Sequence, residues 1–547
     1  MDSRRNLLLE LATVAGFCAF LLFFGAAAIG LTGADEPRYA QIAKEMLLRH
    51  DWITPMLYGH VWFEKPALFY WSAMLSYRLF GVSDWAARLP AATFATAAVF
   101  AIYAFLRRFR PGAQLDGALF TACSVAFLGF ARSAGPDMLL TSCFAISMLA
   151  WMTWYFAGER RWLAWFYVFA AFGMLAKGPV APALAGLVIV VYAALRRDWR
   201  LVLRTLWLPG IALFLVVALP WYVLVQLRNP EFFRVFIVEH NVARFSTNLY
   251  QHHQPFWYYV PVVLAATLPW TFYFLAAVVD GLRNWRDAGE SAGVSPAGNA
   301  ESRRLTQFLL VWIFAVLIFF SISQSKLPGY VLPALPACTL LAAEYVHRRS
   351  AQKPVLGLVV AHAAVLAALT ASVLLVPYAV AHASNAPRIT AGVLAGLVFF
   401  GVSWTVYRRG LRVLRLVTLA PMAVLLAFLL RAGAPALDAK LSYRQAAAAL
   451  DAIDGRRSQL ALYQARRDAL YGMAFYRGQT IFSYKPGYFD QPGGIPPGNH
   501  MVLAPDGSDA ALAQLTGGRR VSRVGDYPPQ KLVFYWISPA MDMPMGR

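Results

Sequence analysis

Between residues 35 and 65 the chain gathers side chains that could carry out a group transfer beside a phosphate. Asp35 and Glu36 are adjacent carboxylates, Arg38 and Tyr39 follow within one helical turn, and Glu64 and Lys65 close the stretch. Arg38 and Lys65 suit a phosphate through charge-assisted hydrogen bonds, whereas Asp35 and Glu36 suit a metal, a proton or a sugar hydroxyl. The stretch begins where an apolar run over residues 7–31 ends. Ionisable groups at a membrane boundary are costly and usually functional. An ordinary charged interfacial loop would explain the charge, but it explains this mixture of residue types less well.

Similar residues recur later in the chain. Arg88 follows Asp84, Arg132 precedes Asp137, Lys177 stands between two apolar runs, and Lys326 is followed by Tyr330. The long loop over residues 226–256 contributes Arg244 and His252. Lys65, Arg244 and Lys326 are candidate cations for a phosphate that gains charge as it leaves. Lys65 could also be a lysine snorkelling to the interface. Asp137 directly precedes an apolar run, so it can cap a helix as well as take part in chemistry. Glu64 and His252 offer one oxygen and one nitrogen ligand, a pair that favours zinc over magnesium. The aromatic run over residues 256–259 reads as an interfacial belt.

These residues must be held by membrane helices. Of the 547 residues, 59% are hydrophobic and only 14% charged, which excludes an ordinary soluble enzyme. The net charge of +21 would suggest nucleic acid in a soluble protein, but here the arginines cluster in short loops between apolar segments. All four cysteines lie in apolar segments and lack zinc-type spacing, so no disulfide framework is expected. The apolar runs give thirteen expected spans, the first over residues 7–31 and the last over 416–430. The run over residues 67–82 is short and contains Arg78. Leaving it outside the count puts every arginine cluster on one side and the mixed-charge loops, 32–90 and 226–256 included, on the other. The beginning of the chain is then cytoplasmic and its end extracytoplasmic. A transmembrane domain is expected over residues 1–431. Alternating segments after that predict a soluble α/β domain over residues 432–547, with strands near 459–463, 480–482, 500–503 and 531–535.

The 35–90 region also carries a resemblance. Asp35-Glu-Pro-Arg-Tyr-Ala, Lys44-Glu45-Met46, Asp51-Trp52, Pro55, Glu64-Lys65-Pro66 and Trp85-Ala86-Ala87-Arg88-Leu89-Pro90 resemble the N-terminal signature of integral-membrane glycosyltransferases of the GT-C superfamily. These enzymes use polyprenyl-phosphate sugars, and the resemblance points to the lipid A aminoarabinose transferases of glycosyltransferase family 83. The loop containing Arg244-Phe245, His252 and Pro255-Phe-Trp-Tyr resembles the same family. The resemblance implies Asp35 as the catalytic aspartate, Asp137 as a second acidic site, and a divalent metal near the site. Glu36, Arg38, Tyr39, Lys65, Arg88, Arg244, Lys326 and Tyr330 are then expected to bind the lipid phosphate and sugar. The implied activity moves 4-amino-4-deoxy-L-arabinose from undecaprenyl phosphate to lipid A at the periplasmic face of a bacterial inner membrane, giving resistance to polymyxin. A monomer with no nucleic-acid partner is expected. Another polyprenyl-phosphate-sugar transferase, such as a protein O-mannosyltransferase, is the alternative within this class. A lipid flippase or transporter is the alternative outside it, to be marked by mid-membrane polar residues or paired broken helices.

Overall fold

The computed structural model describes residues 2–243, 254–285, 296–381, 384, 387–455, 458–484 and 494–538. Among them, nine helices are long and apolar enough to cross a membrane, or eleven if each of two bent pairs forms one span. This falls short of the thirteen expected. The two remaining runs form helices Arg160–Lys177 and Val180–Arg196. The first carries three basic residues within its 18, and the second is only 17 residues long.

The bent pairs are Gln114–Cys123 with Val125–Ala131, at 66°, and Phe256–Ala266 with Thr271–Arg283, at 119°. Each was expected as one span. Their breaks meet and supply each other's missing partners. The Val125 amide donates to the Leu268 carbonyl at 2.9 Å, and Trp270 stacks on Phe120 at 3.6 Å. His362 lies 3.1 Å from the Pro269 carbonyl and 2.8 Å from the Thr418 hydroxyl. A broken helix is tolerated at membrane depth when freed backbone groups are satisfied in this way.

The first span runs over Arg4–Phe23 and stops well before residue 31. The apolar stretch that follows leaves the helix, and arginines take up its carbonyls. Arg88 donates to the Ala26, Ile29 and Gly30 oxygens at 2.6, 2.5 and 2.8 Å, and Arg444 donates to those of Ala27 and Ala28. The chain then enters helix Asp35–Leu48, whose two acidic residues at the start complement the helix dipole. A short hairpin follows, pairing β1 (Met56–Leu57) with β2 (His60–Val61). Glu45 holds it by accepting from the Tyr58 and Gly59 amides. Helix Leu68–Phe80 has 13 residues, about 20 Å at 1.5 Å per residue, which is too short to cross.

The final helix continues past residue 431 to Leu441. Beyond it lies a five-stranded sheet built from β3 (Leu460–Leu462), β4 (Phe482–Ser483), β5 (His500–Pro505), β6 (Arg520–Tyr527) and β7 (Leu532–Ser538), in the order β4-β3-β5-β7-β6. The strand β6, absent from the sequence reading, lies at an edge and pairs antiparallel with β7. Helices Arg444–Ile453 and Arg467–Arg477 tie this sheet to the membrane part.

Candidate active site

Helix Asp35–Leu48 presents its first turn to the exit of the first span. There the two adjacent carboxylates part. Glu36 turns inward, and its side chain is 7% exposed. It accepts from Arg88 at 2.7 and 3.0 Å, from the Thr32 amide and hydroxyl, and from the Ala134 amide at 2.6 Å. Burial alone would raise this carboxyl, but Arg88 and the Thr32 and Ala134 amides outweigh it and hold it below the usual range. Glu36 and Arg88 were expected to contact substrate; their polar atoms join the first span's exit, the helix and the 132–137 loop, so the pair also fastens these elements together.

Asp35 turns outward, with its side chain 71% exposed and Oδ1 accepting from Arg38 at 2.7 Å. Arg38 is buried and bridges Asp35 to Glu64, 3.0 Å away. The other oxygen of Glu64 accepts from Lys65 Nζ at 3.0 Å. Asp35, Arg38, Glu64 and Lys65 therefore form one alternating chain of charges. Three aromatic rings surround the Arg38 guanidinium: Tyr39 at 5.1 Å, Trp62 at 5.5 Å and Tyr471 at 5.6 Å. Burial opposes the Arg38 charge, but Glu64, Tyr39 and Asp35 outweigh it and raise its pKa further.

A second cluster lies beyond the 132–137 loop. Asp137 forms an ion pair with Lys177, whose ammonium sits 4.9 Å from the Tyr330 ring centroid. Asp137 makes no capping bond: the N-cap of its helix is Gly135, without a side-chain hydrogen bond. Pro136 and Asp137 occupy the first turn, where a carboxylate still favours the helix dipole. Lys326 is buried and donates to the Ser323 carbonyl at 2.6 Å. Tyr259, read as part of an aromatic belt, is buried and donates to the Leu327 carbonyl, while Phe256 and Trp257 remain exposed. Tyr39 lies beside the 132–137 loop, since a Cβ on Gly135 would lie 3.9 Å from its ring. Arg244 and His252 lie outside the described residues.

Sequence reasoning missed the contribution from the end of the chain. Asp84 accepts from Tyr476 at 2.7 Å and from Arg444 at 2.8 Å, Asp438 accepts from Arg444 and from the Gly30 amide, and Tyr471 packs at Arg38. Except for Asp438 and Arg444, these pairs are more than 350 residues apart, and no local spacing reports them.

The described residues hold no group of three His, Cys, Asp or Glu side chains that could bind a metal. Glu64, the expected ligand among them, already faces an ammonium and a guanidinium, each 3.0 Å from one of its oxygens. The other expected ligand, His252, lies outside the described residues.

Comparison with known proteins supports the resemblance. Residues 64–223 match the family described as Dolichyl-phosphate-mannose-protein mannosyltransferase. The chain is 33% identical over 320 residues to an undecaprenyl phosphate-alpha-4-amino-4-deoxy-L-arabinose arabinosyl transferase of Pseudomonas aeruginosa (strain UCBPP-PA14), covering 57% of this chain and 55% of that one. It is 28% identical over 436 residues to a transferase of the same description from Erwinia tasmaniensis, covering 77% and 75%. The chain thus spans little more than half the length of the Pseudomonas relative it matches. Its three-dimensional structure resembles the crystal structure of ArnT from Cupriavidus metallidurans bound to undecaprenyl phosphate, with a TM-score of 0.72, 24% identity and 97% of both chains covered. The apo structure of that protein agrees equally well, with a TM-score of 0.73 and 23% identity.

Proposed function

We propose that this polytopic α-helical membrane protein of GT-C type, with its small C-terminal sheet domain, transfers 4-amino-4-deoxy-L-arabinose from undecaprenyl phosphate to a phosphate of lipid A. The site faces the periplasm from a bacterial inner membrane, and the product carries less negative surface charge, which protects against polymyxin and other cationic peptides. The observation that carries this reading is the charge chain at the end of the first span, where an exposed Asp35 is held by the buried Arg38 beside Glu64 and Lys65. A lipid-phosphate donor suits that place, with its tail in the bilayer and its phosphate and sugar at the interface.

In the reaction an oxygen of the acceptor phosphate bonds to the anomeric carbon of the sugar. The bond from that carbon to the donor phosphate oxygen breaks, and its electron pair stays on the departing lipid phosphate. Lys65 and Arg244 stabilise the charge that develops there. An acceptor phosphate is largely ionised at neutral pH, so Asp35 has little proton to remove. Its carboxylate then acts on the positive charge developing at the anomeric carbon, or on the sugar's amine. The Asp137–Lys177 pair and Tyr330 flank the sugar, and Lys326 holds the loop beneath them. Mass spectrometry of lipid A from cells with and without the gene tests this function: an added aminopentose that depends on the gene is expected, and its absence overturns the reading.

A divalent cation at Glu64 and His252 belongs to the same proposal, but no step of the reaction runs through it. Purified protein should lose bound metal in both Glu64→Gln and His252→Ala by elemental analysis, and full occupancy in both variants would remove the pair as ligands. Protein mannosylation is the second reading, favoured by the family match over residues 64–223. Transport has one new argument, because two broken helices do meet in the bundle. Their breaks are filled by Phe120, Trp270 and His362, whereas the Asp35 and Asp137 clusters sit at helix ends.

We also infer thirteen crossings. The ion pair of Lys177 with Asp137 brings the end of helix Arg160–Lys177 to the start of helix Pro136–Ala157, and Arg196 donates to Gln307 near the start of a full span. Both short helices therefore run alongside full spans.

A further inference from the structure

We propose that Tyr471, in the C-terminal sheet domain, is a positioning residue for the transfer, its ring holding the Arg38 guanidinium and thereby the Asp35 carboxylate. This inference rests on the transferase reading above.

Asp35 is 71% exposed and reaches the protein through Arg38, so its aim depends on where that guanidinium sits. An arginine has many rotamers, and a planar guanidinium is fixed only when both its edge and its faces are engaged. The edge meets Asp35 and Glu64. Of the aromatic contacts, Tyr39 and Trp62 belong to the same 35–65 region as Arg38, and Tyr471 comes from helix Arg467–Arg477.

Tyr471 is itself held firmly. It is fully buried, and its ring stacks on Tyr58 at 6.4 Å and 8°. Its hydroxyl accepts from Arg467 Nη2 at 2.9 Å and Nε at 3.2 Å. Tyr58 is fixed in turn, because its amide donates to Glu45 at 2.9 Å. The helix bearing Tyr471 cannot drift from the site, since Tyr476, five residues on, bonds both Asp84 and the Leu31 amide. Arg444 fastens the domain to the same exit through the Ala27 and Ala28 carbonyls. The chain emerging at Asp35 is thus clamped to the domain that supplies the ring. A cation over an aromatic face is a directional contact that strengthens when water is excluded, and here the ring and the cation are both buried.

The test compares Tyr471→Phe, Tyr471→Leu and Tyr471→Met in the full-length protein, using transfer from a purified polyprenyl-phosphate aminoarabinose donor. Phe keeps the ring face and removes the hydroxyl that Arg467 meets, so its kcat should stay within about twofold of wild type. Leu and Met remove the face, so kcat should fall roughly tenfold while the donor KM stays within about threefold. A role confined to packing would instead lower the melting temperature of Leu and Met with little change in kcat of the folded fraction, and that result overturns the inference. Equal losses in Phe and Leu also overturn it, since the ring face would then not matter. Met fills much of the volume lost in Leu and supplies the ringless comparison if Leu does not fold. Wild-type protein that transfers no sugar sinks the transferase reading itself, and this inference with it. An active wild type with equally active Leu and Met variants sinks this inference alone.

Discussion

Asp35 and Glu36 are chemically alike and adjacent, yet substitution should affect them in opposite ways. Asp35 is exposed and tied through one oxygen to Arg38, whereas Glu36 is buried with partners from three other residues. Asp35→Asn should cut transfer roughly a hundredfold or more while leaving the melting temperature close to wild type. Glu36→Gln leaves Arg88 buried without its counter-charge, and breaking such a pair costs about 3–5 kcal/mol. Its main defect should therefore be stability. The pH dependence follows from the depressed Glu36 carboxyl. Its folded pKa lies below the ordinary value of 4.5, so its contribution is fully present above that pH and is lost as pH falls through the folded value. Wild-type protein in detergent should therefore lose melting temperature below about pH 4.5, with a shallower loss in Glu36→Gln. Near-normal transfer by Asp35→Asn would move the chemistry to Asp137. An acid profile that is the same in both proteins would show that Glu36 is not the stabilising group.

At the scale of elements, what could be read in the sequence followed local physics, and what was missed depended on distant partners. Long apolar runs bounded by arginines gave the full-length helices, because burying twenty apolar residues in a bilayer needs no tertiary information. The cluster at residues 35–65 was legible because its charges crowd one short stretch. The unwinding after Phe23 was not legible: residues 26–31 are apolar enough to continue a helix, and only Arg88 and Arg444 reveal where their carbonyls bond. The breaks at Ser124 and Pro269 are of the same kind, since the Leu268 carbonyl takes up the Val125 amide and the Pro269 carbonyl meets the distant His362. In the final domain the strands β3, β5 and β7 were visible as buried apolar segments, but β6 carries Arg520, Arg523 and Asp526 on an exposed edge and reads as a loop. The division of roles between Asp35 and Glu36 needed Ala134, about a hundred residues away.

Across the whole molecule, side-chain contacts sort the helix ends into two sets without reference to hydropathy. In the first set Arg110 pairs with Glu344, Arg348 and Arg349 pair with Asp280, Arg415 pairs with Asp116, and Gln114 bonds Glu10. These contacts connect the arginine clusters to one another, so the clusters share one end of the bundle. The second set joins Glu36 to Ala134, Asp137 to Lys177, Tyr259 to Leu327 and Asp84 to Arg444, which places both site clusters and the sheet domain at the other end. Each bent pair has one terminus in each set: Gln114 and Asp280 lie among the arginines, and Arg132 and Tyr259 lie near the site. A re-entrant loop would return both termini to one set, so this arrangement supports the proposal that each pair is a broken span. The proposed orientation has the basic loops in the cytoplasm and the site and the sheet domain outside. Single cysteines can test this orientation, because the four native cysteines are buried and should react slowly. In spheroplasts an impermeant maleimide should label Gln514→Cys in the sheet domain and should miss Arg408→Cys until the membrane is opened. The reverse pattern would invert the molecule and leave the site facing a compartment rich in nucleotide sugars, where a lipid-linked donor has no advantage. Labelling of both positions in intact spheroplasts would mean that the final helix, Leu411–Leu441, does not cross.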